Sequence, residues 1–273
     1  MLKADMHTHT LRSDSSNSAV DTIQSALRNG IDILSFVDHD TIPNIAREMQ
    51  LSKEYKITII SGIECEWMDY ETGNAAHILG YRIKDYSYIK KLCDSVIEQR
   101  NENTINQIKI LQKSGYDISV EEVTQSTEEP CLYTQNILYV LWKKGMIREL
   151  FGEFNQKIFK KGGIAYKTIE YPKTEQIVEA IVKGGGFAVL AHPGQQNNFY
   201  LIEDLVKAGL SGVELIHPSN NVKHRELIKK YADKYHLFMT GGSDCHGILS
   251  KSGGNIGDYY IEVNQVEDLF TIS

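Results

Sequence analysis

A series of apolar, β-branched runs in this chain each lead into a histidine or a carboxylate, and no other feature restricts the fold as much. Residues 31–37 run into Asp38-His39-Asp40, residues 57–60 into Ser61-Gly62-Ile63-Glu64, and residues 187–191 into His192-Pro193-Gly194. Residues 212–216 run into His217-Pro218, and residues 236–240 into Gly241-Gly242-Ser243-Asp244-Cys245-His246. Short apolar runs bounded by turn residues read as buried strands. Helical spacing fills the gaps: Val20, Ile23, Ala26 and Leu27 before Gly30, a run from Pro43 to about residue 55, and an amphipathic stretch over 223–235. Strands alternating with helices predict a parallel sheet or barrel. In a barrel the strand C-termini share one rim, where active sites of such folds are built. His39, Glu64, His192, His217, Asp244 and His246 would then converge, whereas His224 and His236 fall within helix and turn patterns and receive no role.

The N-terminus fits the same scheme. Leu2-Lys3-Ala4-Asp5-Met6 leads into His7-Thr8-His9, with Asp14 five residues later. Alternate residues of a strand face the same side, so His7 and His9 form a ready pair of metal ligands. The rhythm breaks after Glu64. Residues 65–70 and 76–81 flank the turn-forming Glu71-Thr72-Gly73-Asn74, predicting a hairpin with His77 on its returning strand. Residues 86–162 contain no strand pattern. A long helix to Lys113, a capping box at Ser119–Glu122, and helices over 131–144 and 148–160 predict a helical insert. The predicted division is therefore 1–85 with 163–273 as an α/β barrel and 86–162 as an insertion domain.

Composition narrows the functional classes. Of the 273 residues 41% are hydrophobic and 24% charged, ordinary values for a globular chain. No apolar run approaches bilayer length, and no charged-then-apolar leader opens the sequence, which predicts a cytoplasmic protein without membrane attachment. A net charge of −7 argues against a broad nucleic-acid-coating surface. Cys65, Cys93, Cys131 and Cys245 have no C-x-x-C spacing, so reduced, buried thiols are expected.

Taken in order, His7-Thr8-His9 with Asp14, Val37-Asp38-His39-Asp40-Thr41, Gly62-Ile63-Glu64, His77-Ile78-Leu79-Gly80-Tyr81, Ala191-His192-Pro193-Gly194 and Gly242-Ser243-Asp244-Cys245-His246 resemble the motif series of the PHP (polymerase and histidinol phosphatase) family. More narrowly they resemble its stand-alone bacterial metal-dependent phosphoesterases, which include nucleotide and nucleoside 3′,5′-bisphosphate phosphatases and a 5′-to-3′ exoribonuclease. The resemblance implies a distorted (β/α)7 barrel with a helical insertion domain. It also implies a metal-ligand set of His7, His9, Asp14, His39, Glu64, His77, His192, Asp244 and His246. Six imidazoles and three carboxylates exceed what one tetrahedral ion needs and suit two or three divalent ions. Mixed nitrogen and oxygen donors favour manganese first, with zinc or iron as alternatives. A hydroxide bridging two such ions would attack phosphorus in line.

The predicted enzyme is thus a metal-dependent phosphoric ester hydrolase acting on a small phosphorylated substrate or short nucleic acid, with no stable protein partner. His217 is a candidate phosphate contact or acid, and Lys167 a candidate substrate contact. Asp38 and Asp40 are expected to orient His39 or cap the following helix. Lys143, Lys144, Arg148, Lys157, Lys160 and Lys161 form a locally basic region that would meet a phosphate or remain a solvated helix face. The family's Arg and His at the start of the helix near Leu132-Tyr133-Thr134-Gln135-Asn136 are missing, so nucleotide specificity does not carry over with the metal ligands. Two other readings are an amidohydrolase-type hydrolase of C–N or C–O bonds, which would leave Asp14 and His39 without a role, and a non-catalytic module, which would have lost ligands.

Overall fold

The computed structural model describes residues 1–70, 72–128, 131–251 and 253–263; Glu71 of the predicted turn lies outside them. Strands β1 (Lys3–Thr8), β2 (Ile33–Phe36) and the first half of β3 (Thr58–Met68) are parallel neighbours, linked by helices α1 (Ala19–Arg28) and α2 (Ile45–Tyr55). Each helix start follows from its cap. Ser18 and Asp21 form a capping box on α1, and the Asn44 side chain accepts from the Arg47 amide on α2.

The hairpin predicted after Glu64 is part of the barrel wall. Strand β4 (Ala75–Tyr81) pairs antiparallel with β3 from Gly62↔Tyr81 to Met68↔Ala75. It also pairs antiparallel with β5 (Phe187–Leu190), after which β6 (Gly212–Ile216) and β7 (Phe238–Gly241) return to parallel pairing. The sheet order is β7-β6-β5-β4-β3-β2-β1-β8, with β8 (Ile261–Glu262) antiparallel to β1. The described strands number eight rather than seven, because a short C-terminal strand covers the far edge of β1. Glu64 and His77 accordingly lie inside β3 and β4 and not beyond a strand end, since the second half of β3 is held by β4.

The chain beyond β7 closes the ring. The Asp244 amide donates to the His7 carbonyl (2.8 Å), and the His9 amide to the Cys245 carbonyl (3.1 Å). Gly242 makes this approach possible, because a Cβ there would stand 2.4 Å from the His7 nitrogen. Ala4, Met6, Val37, Leu79, Tyr81 and Val189 pack into an apolar cluster within the barrel.

Helices α3 (Ser87–Lys113), α4 (Val120–Thr124), α5 (Thr134–Lys143) and α6 (Glu153–Phe159) follow β4. The start of α3 packs on the barrel through Ile89 and Cys93, while its end joins a separate apolar cluster with Ile137, Leu141, Phe159 and Ala165. The predicted 148–160 helix begins only at Glu153: Gly152, extended at φ −89° and ψ −153°, interrupts the run. Helices α7 (Thr174–Lys183), α8 (Pro193–Gln196), α9 (Ile202–Ala208) and α10 (Val222–Tyr235) complete the β/α rhythm. No helix among the described residues is long and apolar enough to cross a membrane. All four cysteines are free and buried, as the sequence suggested.

Candidate metal centre

All nine candidate ligands meet at the C-terminal rim. Glu64, fully buried on β3, is their centre. Its Oε2 lies 3.2 Å from Nε2 of both His7 and His9 and 3.4 Å from His39 Nδ1. Its Oε1 lies 3.0 Å from His77 Nδ1 and 3.2 Å from His192 Nε2. Each carboxylate oxygen thus faces a different set of imidazoles, as a bridging ligand requires. Asp244 Oδ1 stands 3.3 Å from the same two nitrogens of His7 and His9. Asp14 Oδ1 lies 3.2 Å from His246 Nε2 and 3.9 Å from His39 Nε2. Overlapping donor groups result: His7, His9, Glu64 and Asp244; His9, Asp14, His39 and His246; His39, Glu64 and His77.

These groups fit divalent cations. In a tetrahedron with bonds of about 2.0–2.1 Å the ligand atoms are about 3.3 Å apart, and the His7, His9, Glu64 and Asp244 donors are separated by 3.2–3.3 Å across the four nitrogen–oxygen contacts. Despite that proximity, both ring nitrogens of His9, Nδ1 of His39 and of His192, and Oδ1 of Asp14 are buried without a hydrogen-bond partner. Buried polar atoms are ordinarily satisfied, so donors left bare around a common point suit an ion. Burial opposes charge on Glu64, yet His7, His39, His77 and the bond with His192 outweigh it and hold its carboxyl well below the usual range. Burial likewise opposes protonation of His77 and His246. Neighbouring carboxylates, led by Glu64 and Asp14 respectively, lift them to about 9 and about 10. Protonated His77 and His246 thus supply positive charge that metal would otherwise bring, whereas burial holds His39 down at about 4 and lowers His192 as well.

A shell of residues fixes this centre; the sequence reading passed over Glu214, Asp5 and Arg100, and expected Asp38 and Asp40 to orient His39 or cap a helix, whereas they bond Thr10, Ser13 and Arg100. Glu214, fully buried in the middle of β6, accepts from His7 Nδ1 (3.0 Å) with one oxygen and from the His192 amide (2.9 Å) with the other. A carboxylate inside the apolar run Gly212-Val213-Glu214-Leu215-Ile216 was the available signal. Asp5 accepts from the Ser243 amide at 2.9 Å, tying β1 to the closing segment. Asp38 receives the Thr10 amide and the hydroxyls of Thr10 and Ser13, each at 2.7 Å, which shapes the loop carrying His9 and Asp14. Asp40 pairs instead with Arg100 of α3 (2.9 Å), which also binds Glu66 (3.1 Å) and lies 4.5 Å over the Tyr133 ring. Gln135 of α5 donates to Asp14 Oδ2 at 3.0 Å, and the Tyr133 hydroxyl to the His39 carbonyl at 2.9 Å. His192 at φ 24° and Asp244 at φ 52° hold a left-handed backbone that costs conformational energy and is retained where it aims a side chain.

His217 is fully buried beside Asp244, with Nε2 3.3 Å from Oδ2, while its Nδ1 accepts from the Ser219 amide at 3.0 Å. Lys167 is outside the cluster; it is half exposed, with Glu102 at 3.6 Å. Of the basic region, Lys144 is paired with Asp117 and Glu122 and Lys157 with Glu153, whereas Lys160 and Lys161 face cavities. The metal cluster opens into a cavity of about 290 Å³, floored by Asp14, His39, His77 and His246 and walled by Leu138, Phe151, Lys160 and Lys251.

Known proteins agree with this geometry. Over 245 residues the chain is 33% identical to a phosphoribosyl 1,2-cyclic phosphate 1,2-diphosphodiesterase of Eggerthella lenta, covering 89% of this chain and 94% of that protein. It is 24% identical over 250 residues to a 5′-3′ exoribonuclease of Haemophilus influenzae, covering 89% and 90%. The crystal structure of a putative metal-dependent phosphoesterase from Bifidobacterium adolescentis superposes with a TM-score of 0.86 at 22% identity, covering 98% and 95%. The PHP domain model matches residues 5–187, and the chain belongs to that family.

Proposed function

We infer that this chain is a metal-dependent phosphoesterase acting on phosphate esters of ribose compounds. The observation that carries the reading is the nest of His7, His9, Glu64 and Asp244 donors, spaced for a cation, with both His9 ring nitrogens unsatisfied and Asp244 lining the adjoining cavity. The substrate class follows from the two relatives, one named for a phosphoribosyl cyclic phosphate and one for RNA. His7, His9, Asp14, His39, Glu64, His77, His192, Asp244 and His246 would hold two or three divalent ions, with manganese the first choice for this nitrogen and oxygen set. Bound there, such ions supply an activated water at neutral pH and positive charge for the phosphate oxygens.

The chain's own groups do the rest. Glu64 offers one oxygen to each half of the cluster, which fixes the spacing of the two halves. Glu214 accepts from His7 Nδ1 and so would present Nε2 as the nitrogen facing a bound ion. Ser219 fixes His217 with its proton on Nε2, from which it donates to Asp244 Oδ2. His217 therefore acts as a positioning residue, and neither a phosphate contact nor an acid is assigned to it. Lys160 and Lys251 line the cavity and would draw an anion in, while Leu138, Phe151 and Phe159 give it an apolar lining. The helical segment over residues 86–162 would serve as a cover that completes the site through Arg100, Tyr133 and Gln135. A cytoplasmic setting remains part of this proposal.

Hydrolysis of adenosine 5′-monophosphate, adenosine 3′,5′-bisphosphate, a ribose 1,2-cyclic phosphate and a 5′-phosphorylated RNA, each with manganese, tests the reading. It is followed as released phosphate for the two adenosine monoesters, as ring opening to a phosphomonoester for the cyclic phosphate, and as released mononucleotide for the RNA. Metal content is measured on the same sample, and His192→Ala serves as control. Hydrolysis that disappears in the control supports the phosphoesterase. Metal-loaded protein that hydrolyses none of the four overturns the ribose-ester assignment.

A further inference from the structure

One polar residue on the wall of the metal cavity has no task in the site described above. Asn155 of α6 lines the cavity and is only 4% exposed. Among the described residues it makes no hydrogen bond. Neither atom of its amide is sealed from solvent, however, so the amide opens onto the space that the residue lines. The other uncharged polar side chains of the lining are engaged. Thr134 donates to Gln107 (3.0 Å) and Gln135 to Asp14 (3.0 Å). Gln195 accepts from Ser219 (3.0 Å), and Ser250 from the Gly253 amide (2.9 Å). Asn155 is where it is because Phe159 lies four positions on, over the same helix face. Phe159 packs into the apolar cluster of the helical segment, with Leu138 and Phe151 beside it, and all three also line the cavity. An unpartnered amide thus stands in an otherwise apolar wall.

Buried polar groups are ordinarily satisfied by protein, water or ligand. A side-chain amide carries both donors and an acceptor. It therefore matches a hydroxyl, which gives and takes a hydrogen bond, better than a phosphate oxygen, which only takes one. The charged lining, with the metal ligands, Lys160 and Lys251, already serves the phosphate. The cavity is also at the lower end of ligand-pocket volumes, about 300–1,000 Å³, and has room for little more than one phosphorylated sugar. With the phosphate on the metal floor, the sugar is left against the wall that carries Asn155. We propose that Asn155 is a specificity-determining residue: its amide hydrogen-bonds a sugar hydroxyl of the ester, so that esters of alcohols without further hydroxyls are rejected. An analogue lacking the hydroxyl would leave the amide unpaired, and that penalty is the source of the selection. This rests on the phosphoesterase reading and adds to it the residue that recognises the organic part of the substrate.

The test compares wild type with Asn155→Leu, which keeps the volume and removes donor and acceptor, and with Asn155→Ala, which removes them without filling the wall. Circular dichroism checks the fold of both. With manganese bound, kcat/KM is measured for the ribose ester that the wild type hydrolyses best and for phenyl phosphate, which has no hydroxyl. Comparing variant with wild type on each substrate cancels the difference between the leaving groups. The expected result is that the preference for the ribose ester over phenyl phosphate falls about three- to tenfold in both variants, the worth of one hydrogen bond. An unchanged preference, or an equal fall on both substrates, would overturn the contact. So would a wild type that hydrolyses phenyl phosphate and no ribose ester. If the metal-loaded wild type hydrolyses none of these compounds, calorimetry of adenosine 5′-monophosphate and phenyl phosphate binding decides. A preference for the nucleotide that both variants lose would refute the phosphoesterase reading and leave the contact standing; no such preference would refute both.

Discussion

Replacing Glu214 with Gln is nearly isosteric, and its consequence can be worked from two hydrogen bonds. One carboxylate oxygen takes His7 Nδ1 at 3.0 Å and the other takes the His192 amide at 2.9 Å. Glutamine has one acceptor oxygen, so either rotamer turns its NH2 toward another donor. If the oxygen faces His7, the His192 amide loses its acceptor at a backbone already held at φ 24°. If it faces His192, His7 is driven to the other tautomer, with its proton on Nε2 inside the donor nest. An unsatisfied buried donor costs about 1–3 kcal/mol, and loss of an orienting partner weakens metal binding by about 10–100-fold; the two effects are of similar size. Manganese titration of Glu214→Gln should therefore show the tightest site weakened by one to two orders of magnitude, and phosphate release at subsaturating metal should fall in parallel. Circular dichroism of the metal-free protein checks that the barrel is intact. A folded variant with wild-type metal affinity would refute the claim that Glu214 sets the His7 tautomer.

Further outcomes follow from the same geometry. Gln135→Ala removes the donor on Asp14 Oδ2 and should cost about one ion per chain by metal analysis, because the His9, Asp14, His39 and His246 group loses its orienting bond. In the metal-free protein His246 and His77, at about 10 and about 9, are above their unfolded value of about 6.5. Their stabilising contribution is therefore full below about pH 6.5 and lost as pH rises through 9 to 10. Metal needs those nitrogens bare, so manganese uptake should release protons into weak buffer at pH 7, and affinity should climb over the same interval; uptake without proton release would contradict the protonated cluster. Burial pushes the Cys131 thiol up to about 12, and all four cysteines are buried. A thiol reagent at pH 8 should label the native chain slowly and the urea-unfolded chain at once.

Much of this protein is legible in its sequence. Strand rhythm follows from local apolar runs, which bring His39, Glu64, His192, His217, Asp244 and His246 toward one rim, while the full ligand set, with Asp14 and His77, came from the resemblance to the PHP motif series. His7-Thr8-His9, His39, Glu64, His192 and the Asp244–His246 pair all carry that local mark. What remained hidden depends on closure of the ring. Glu214 meets His7 across 207 positions of sequence, and Gln135 meets Asp14 across 121. No local pattern records such a meeting. Arg100 reads as one more polar position on a long helix until α3 lies against the rim and Asp40 and Glu66 take its guanidinium. Lys160 and Lys161 are indistinguishable by composition from Lys144 and Lys157, yet the latter two are neutralised by carboxylates while the former face cavities. The sequence by itself pointed to the barrel, through its periodicity, and to the candidate metal ligands, through residue type and motif resemblance. Only the tertiary structure decided which partners orient those residues and which lysines are neutralised by carboxylates. The orienting bonds depend on distances of about 3 Å between segments far apart in the chain.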